Sequence, residues 1–138
     1  MKTNKNHYLS QEGYALMGAA FEVYNENGYG MGEEIYQESL EVELALRKIP
    51  FCSKDELQVY YKGHLLKKTY IPDLTVYGEI IVELKALKAI LPEHEAQLIN
   101  YMRISKKAVG YLINFGTADD LEWKRIILSE YIPDKGNR

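Results

Sequence analysis

Asp73, Glu83 and Lys85 carry the residue types for metal-assisted chemistry, and they fall inside one fifteen-residue stretch, IPDLTVYGEIIVELK, at positions 71–85. That stretch reads as two short strands joined at Gly78. Side chains alternate faces along a strand, so Ile80, Val82 and Leu84 point one way while Ile81, Glu83 and Lys85 point the other. Charge on an otherwise apolar strand is costly to bury unless it is paired or binds a metal. If the strands form a hairpin with an odd-numbered loop, Asp73 joins Glu83 on one face, roughly 5 to 8 Å away across the ladder. A two-residue loop would instead set Asp73 opposite Leu84 on the apolar face. Two carboxylates at the ends of adjacent strands offer hard oxygen ligands to Mg²⁺ or Mn²⁺, and a neighbouring lysine can orient or deprotonate a water for attack on phosphorus. The plainer alternative is a Glu–Lys pair on the surface of an edge strand.

Other residues qualify by position. Glu33 opens a helix behind the glycine-rich segment 28–32, where the helix dipole favours a carboxylate. That segment lacks the lysine and spacing of a P-loop and follows a helix, not a strand, so it is no phosphate cradle of that kind. Gln97 and Tyr101 lie four apart on one helix face, with His94 three residues before them. Cys52 and the histidines His7, His64 and His94 show no zinc-ligand spacing. No serine-nucleophile signature is present.

The elements that must position these groups follow from periodicity. Ser10 is a candidate N-cap. Behind it Gly13, Leu16, Met17, Ala20, Phe21 and Tyr24 recur at helical spacing to about position 25, and Asn27-Gly28 ends the helix. A second helix runs over 33–47 and closes at Ile49-Pro50. Positions 57–61 read as a strand, 62–64 as a turn, and the run through Leu66 and Tyr70 returns into the Asp73 strand. Pro92 suits the first turn of a helix extending to about position 105. The apolar run 108–115 reads as a strand covered on both faces, and 121–128 as a weak final strand. The order is α, α, three strands, α, then one or two strands: an α/β or α+β sandwich around a small mixed sheet.

Composition bounds the rest. The chain has 138 residues, 46% of them hydrophobic and 27% charged. These values suit one globular domain with a core over about 16–128 and polar tails. A single cysteine excludes an internal disulfide framework, and neither a signal-peptide pattern nor a membrane-length apolar run occurs, so a cytoplasmic location is expected. The net charge of −3 does not advertise nucleic-acid binding. Lys62, Lys67, Lys68, Lys85, Lys88, Arg103, Lys106 and Lys107 nevertheless make the middle of the chain more basic than its first half.

Taken together the residues resemble the PD-(D/E)xK nuclease superfamily, with Pro72-Asp73 and Glu83-Leu84-Lys85 matching its defining motif. Within it the chain resembles the small GxxExxY proteins, through Gly30-Met31-Gly32-Glu33-Glu34-Ile35-Tyr36. Its QLINY run at 97–101 is similar to the QxxxY motif of the RecB-like branch, and Asn114-Phe115-Gly116 resembles the end of that fold's last core strand. The resemblance implies a restriction-endonuclease-like core, a four-stranded mixed sheet flanked by helices (αβββαβ), with an extra N-terminal helix. It implies a divalent-metal-dependent nuclease acting on DNA more than RNA, with Mg²⁺ or Mn²⁺ as cofactor. Asp73 and Glu83 would hold the metal, with the Leu84 carbonyl as a further ligand, and Lys85 would position the water. Glu33 would complete the acidic cluster directly or through a water, and Gln97 and Tyr101 would orient Lys85 or touch the phosphate backbone. A homodimer would supply the second site that a double-strand cut needs. A non-catalytic interaction module retaining the nuclease fold is the rival expectation.

Overall fold

The computed structural model describes residues 7–133. Two helices come first, α1 (Ser10–Asn27) and α2 (Glu33–Leu46). Strands β1 (Phe51–Ser53), β2 (Leu57–Tyr61), β3 (His64–Tyr70), β4 (Leu74–Val76) and β5 (Ile80–Lys85) follow, then helix α3 (Pro92–Ser105) and strands β6 (Val109–Asn114) and β7 (Glu122–Ile127). Among the described residues, no helix is long and apolar enough to cross a membrane.

Five strands form the main sheet in the order β1-β4-β5-β6-β7, and β2-β3 form a separate two-stranded sheet. The β5–β6 pair is parallel and the others antiparallel. The expected mixed sheet flanked by helices is therefore present, with five strands where four were expected. The fifth is accounted for at the edges. Phe51–Ser53, which has too few residues to show a period, pairs with β4, while the expected 57–70 strands leave the sheet to pair with each other.

Alternation along β5 sorts the core into two halves. Val82 and Leu84 face α1 and α2, packing with Leu16, Ala20, Tyr36, Leu40 and Leu44. Ile81 faces α3, packing with Leu98, Met102 and Leu112. Strand β6 is buried along its whole length, as its unbroken apolar run predicts for a strand covered on both faces. The Tyr36 ring stacks on Phe115 with centroids 4.6 Å apart. Its hydroxyl donates to the Gly28 carbonyl at 2.6 Å and accepts the Met31 N–H at 3.3 Å, fixing the bend that leads into Glu33.

One local expectation is corrected. Ser10 is the first helical residue and not the N-cap. That place is taken by Leu9, in a left-handed conformation (φ 56°) with no side-chain cap, and its carbonyl accepts the Gly13 N–H at 2.9 Å. The helix also runs two residues further than its apolar spacing suggested, ending at Asn27 before Gly28, whose φ is 71°.

Candidate active site

The β4–β5 turn decides whether the two acids meet. Leu74 pairs with Val82, Thr75 with Ile81 and Val76 with Ile80. That register leaves three residues, Tyr77-Gly78-Glu79, in the loop. Tyr77 and Gly78 both have positive φ (58° and 69°), a bend glycine takes without strain. An odd-numbered loop is thus realised, and continuing the register one pair sets Asp73 opposite Glu83.

Hydrogen bonds place the pair more closely. Asp73 Oδ2 accepts the Leu84 N–H at 2.8 Å, and Glu83 Oε2 accepts the Asp73 N–H at 3.4 Å. Glu83 Oε1 accepts the Tyr70 hydroxyl at 2.6 Å. Glu83 is only 7% exposed. Burial, a hydrogen bond with the Asp73 side chain and the Asp73 charge push its carboxyl up to about 8, against the lowering effect of hydrogen bonds from the Tyr70 hydroxyl and the Asp73 N–H. The same carboxylate, with burial as the larger cause, raises the Tyr70 hydroxyl. Lys85 follows on the same face, partly buried, and makes no ion pair among the described residues.

Each of the other predicted residues has a definite place. Glu33 is the first residue of α2 and lies exposed at its N-terminus. Its pKa is raised, first by partial desolvation and then by Asp73, with Lys85 and Lys54 opposing. It therefore feels both Asp73 and Lys85. Among the described residues, however, no three acids or histidines are grouped closely enough to hold a metal between them. Glu33 is thus within electrostatic reach of Asp73 and Lys85 without forming a three-ligand group with Asp73 and Glu83. Tyr101 lies over the site from α3, its ring stacked on Tyr70 with centroids 3.4 Å apart. Burial raises its hydroxyl, Glu83 adds to this, and a hydrogen bond with Gln97 opposes it. Gln97 is exposed and meets Tyr101 through that hydrogen bond. His94 does not join them: its Nδ1 accepts the Leu91 N–H at 2.9 Å, capping the helix start. Leu84 meets Asp73 through its N–H.

Two more residues join this site without a role read from the sequence, although Asn114 was named there at the end of a core strand. Gln37, buried one turn after Glu33, donates to the Asp73 carbonyl at 2.9 Å and to Glu41 at 2.7 Å. Its only signal was a polar residue beside the apolar stripe of α2. Replacing Gln37 by alanine is expected to cost about 1 to 2 kcal/mol of stability, from the two lost hydrogen bonds to the Asp73 carbonyl and Glu41. Thermal melts of the variant against wild type check the number. The second is Asn114, fully buried and the register partner of Lys85. It donates to the Leu87 carbonyl and to Glu122, both at 2.9 Å, and accepts the Leu87 N–H at 2.8 Å. The chain leaving Lys85 is thereby tied to the next strand. Gly116 completes this clamp, because a Cβ there would overlap the Leu87 backbone.

Two carboxylates, one deeply buried with its proton held too tightly, make a donor set that a divalent cation would satisfy. With oxygen donors and no nitrogen or sulfur, the set fits Mg²⁺ or Mn²⁺, which take one or two carboxylates together with waters and substrate phosphate. A groove of about 710 Å³ between α1 and the β6–β7 edge, lined by Tyr14, Phe21, Arg47 and Trp123, contains none of these residues.

Comparison with known proteins bears on the same residues. No curated protein sequence matches the chain. The crystal structure of SSO0001 is similar to it, with a TM-score of 0.56 and 22% sequence identity over 70% of this chain and 51% of that one. The chain thus spans about half the length of that solved protein, and at this identity the likeness concerns the fold alone. A family model described as the PD-(D/E)XK nuclease superfamily matches residues 10–126, from the start of α1 into β7, and so takes in every candidate site residue. The chain belongs to the PD-(D/E)XK nuclease superfamily.

Proposed function

We propose that this chain is a divalent-metal-dependent nuclease that hydrolyses phosphodiester bonds in DNA. One observation carries the reading: the odd-numbered β4–β5 loop brings Asp73 against Glu83, with Lys85 two residues further on the same face. Within the superfamily we place it among the GxxExxY proteins of the RecB-like branch, on Gly30, Glu33, Tyr36, Gln97 and Tyr101.

Asp73 and Glu83 would hold Mg²⁺ or Mn²⁺, with the Leu84 carbonyl as a further ligand. When bound, the cation neutralises phosphate charge and acidifies a water. The chain's own groups do the remainder. Asp73 is held in position by the Leu84 N–H at its carboxylate and by Gln37 at its carbonyl. Tyr70 holds Glu83 at one oxygen, leaving that oxygen's second lone pair available. Lys85, which makes no ion pair among the described residues, would orient the attacking water and offset negative charge growing at phosphorus. Glu33 would complete the acidic cluster through a water. Tyr101 and Gln97 line the approach and hydrogen-bond the DNA backbone. A homodimer would let two such sites cut both strands, and the proposed setting is the cytoplasm.

The test is cleavage of single-stranded, duplex and branched DNA with Mg²⁺ or Mn²⁺ by wild type, Lys85→Ala and Asp73→Ala. Wild-type cleavage lost in both variants supports the reading, whereas equal cleavage by all three, or none on any substrate, sinks it. A second reading, a non-catalytic interaction module, draws on the fact that both Glu83 oxygens already accept hydrogen bonds within the protein. Calorimetric titration separates the two, since only the nuclease needs Mg²⁺ binding that disappears in Glu83→Ala.

A further inference from the structure

The β2–β3 hairpin is the part of the described structure that its own fold explains least. Every residue from Tyr60 to Thr69 is exposed, on both faces of the ribbon. Among them are Tyr60 and Tyr61, 60% and 61% exposed, with Leu65 and Leu66 close behind. A two-stranded ribbon held only at its base is marginally stable in water, and large apolar side chains gathered on its exposed part point to a surface that something covers.

Charge says what kind of partner that is. Residues 57–70 contain Lys62, Lys67 and Lys68 and not one Asp or Glu, in a chain whose net charge is −3. An apolar protein partner would not need the lysines, and solvated lysines alone would not need the tyrosines. A polyanion with flat faces and sugar edges uses both: ammonium groups meet phosphates while aromatic rings stack or pack against bases and sugars. The tip is a tight two-residue turn, Lys62-Gly63, with φ 48° and 81°, between the paired residues Tyr61 and His64. The Lys62 ammonium lies 5.5 Å from the Tyr61 ring centre. Seven residues of β3 span about 23 Å, and a two-stranded ribbon fits the major groove of duplex DNA.

The base of the hairpin is fixed at the candidate site. Leu57 pairs with Tyr70, and Tyr70 both hydrogen-bonds Glu83 and stacks on Tyr101. An occupant of the ribbon would therefore run toward the acids.

We propose that the β2–β3 hairpin is a DNA-binding arm that holds the duplex beside Asp73, Glu83 and Lys85, with Lys62, Lys67 and Lys68 on the phosphates and Tyr60 and Tyr61 packed against the sugars and bases. The proposal rests on the nuclease reading for its choice of DNA. Its test does not depend on chemistry, because binding is measured with the metal chelated. Full-length protein is titrated against a fluorescent DNA duplex, its separated strands and the matching RNA duplex, by anisotropy over a series of salt concentrations. The combined variant Lys62→Ala, Lys67→Ala, Lys68→Ala should bind duplex DNA at least about tenfold more weakly, with a salt slope shallower by about 2 to 3. Tyr60→Ala with Tyr61→Ala should lose about tenfold with the slope unchanged. Replacing the three lysines by arginine should restore binding. Thermal melts of the variants matching wild type exclude unfolding as the cause. No DNA binding by the wild type, an unchanged lysine variant, a loss confined to RNA or to single strands, or a change in oligomeric state with DNA binding intact would each overturn the arm. Cutting by a protein whose lysine variant binds normally refutes the arm alone, while binding that depends on the arm in a protein that never cuts refutes only the nuclease reading.

Discussion

Replacing Lys85 by alanine is expected to lower DNA cleavage by at least about 10³-fold, the scale on which removing one preorganised charge at a reacting centre acts. The melting temperature is expected to move by less than about 3 °C, since the side chain lies at the edge of the core and gives up no ion pair. The expectation follows from position. Lys85 ends β5, where Asn114 and Gly116 clamp the outgoing chain, so its ammonium is aimed from a rigid strand end. It has no acidic partner within the described protein. A structural lysine at such a place would be paired. Lys85→Arg keeps the charge but spreads it over a planar group that cannot stand where a compact ammonium stood, so it should recover at most a small part of the rate. Single-turnover cleavage at saturating Mg²⁺ isolates the chemical step. A variant that cuts like wild type would make Lys85 a surface residue after all.

Glu83→Gln should do two opposite things: abolish Mg²⁺ binding and stabilise the metal-free protein at alkaline pH. The direction follows from the raised carboxyl. Folded Glu83 releases its proton near pH 8, against 4.5 for the ordinary group. The folded state therefore binds more protons than the unfolded one across that interval. Stability from this group is complete below about pH 4.5 and declines as pH rises through about 8. A glutamine there stays neutral, accepts the Tyr70 hydroxyl and can donate to the Asp73 carboxylate, so the decline disappears. The advantage of the variant should be near zero at about pH 5 and on the order of 3 kcal/mol above about pH 8, or roughly 5 to 10 °C in melting temperature. Adding Mg²⁺ should raise the wild-type melting temperature and leave the variant where it was. Because the cation displaces a proton, wild-type affinity for Mg²⁺ should also increase with pH up to about 8. Melts across pH with and without Mg²⁺ test every part. A variant less stable than wild type at high pH would show that the Glu83 charge is already balanced within the protein.

How much of this could be read from the chain depends on how local the cause is. Glu83 and Lys85 sharing a face is a matter of period two within one strand, and the odd loop at Gly78 turned a guess about Asp73 into a register that could be checked. The helices over 10–27, 33–46 and 92–105 follow from apolar spacing and from Pro92 in the first turn. What the sequence hid is set by distant partners. Nothing local says that residues 57–70 leave the main sheet, because a strand's neighbours are chosen by tertiary packing. Gln37 and Asn114 look like ordinary polar residues until their hydrogen bonds, to groups 36 and 27 positions away, are seen. Tyr70, the closest side-chain partner of Glu83, reads in sequence as one of twelve tyrosines. His94, at helical spacing from Gln97, serves instead to cap the helix start, a bond that spacing alone does not reveal.

The central claim is that Asp73 and Glu83 share a divalent cation, and crystals soaked in Mn²⁺ test it most directly. The anomalous difference map should show a peak between the Asp73 and Glu83 carboxylates, close to the Leu84 carbonyl, and the peak should vanish in Glu83→Gln crystals. A map with no peak at that position, or with manganese bound only elsewhere on the surface, would contradict the account.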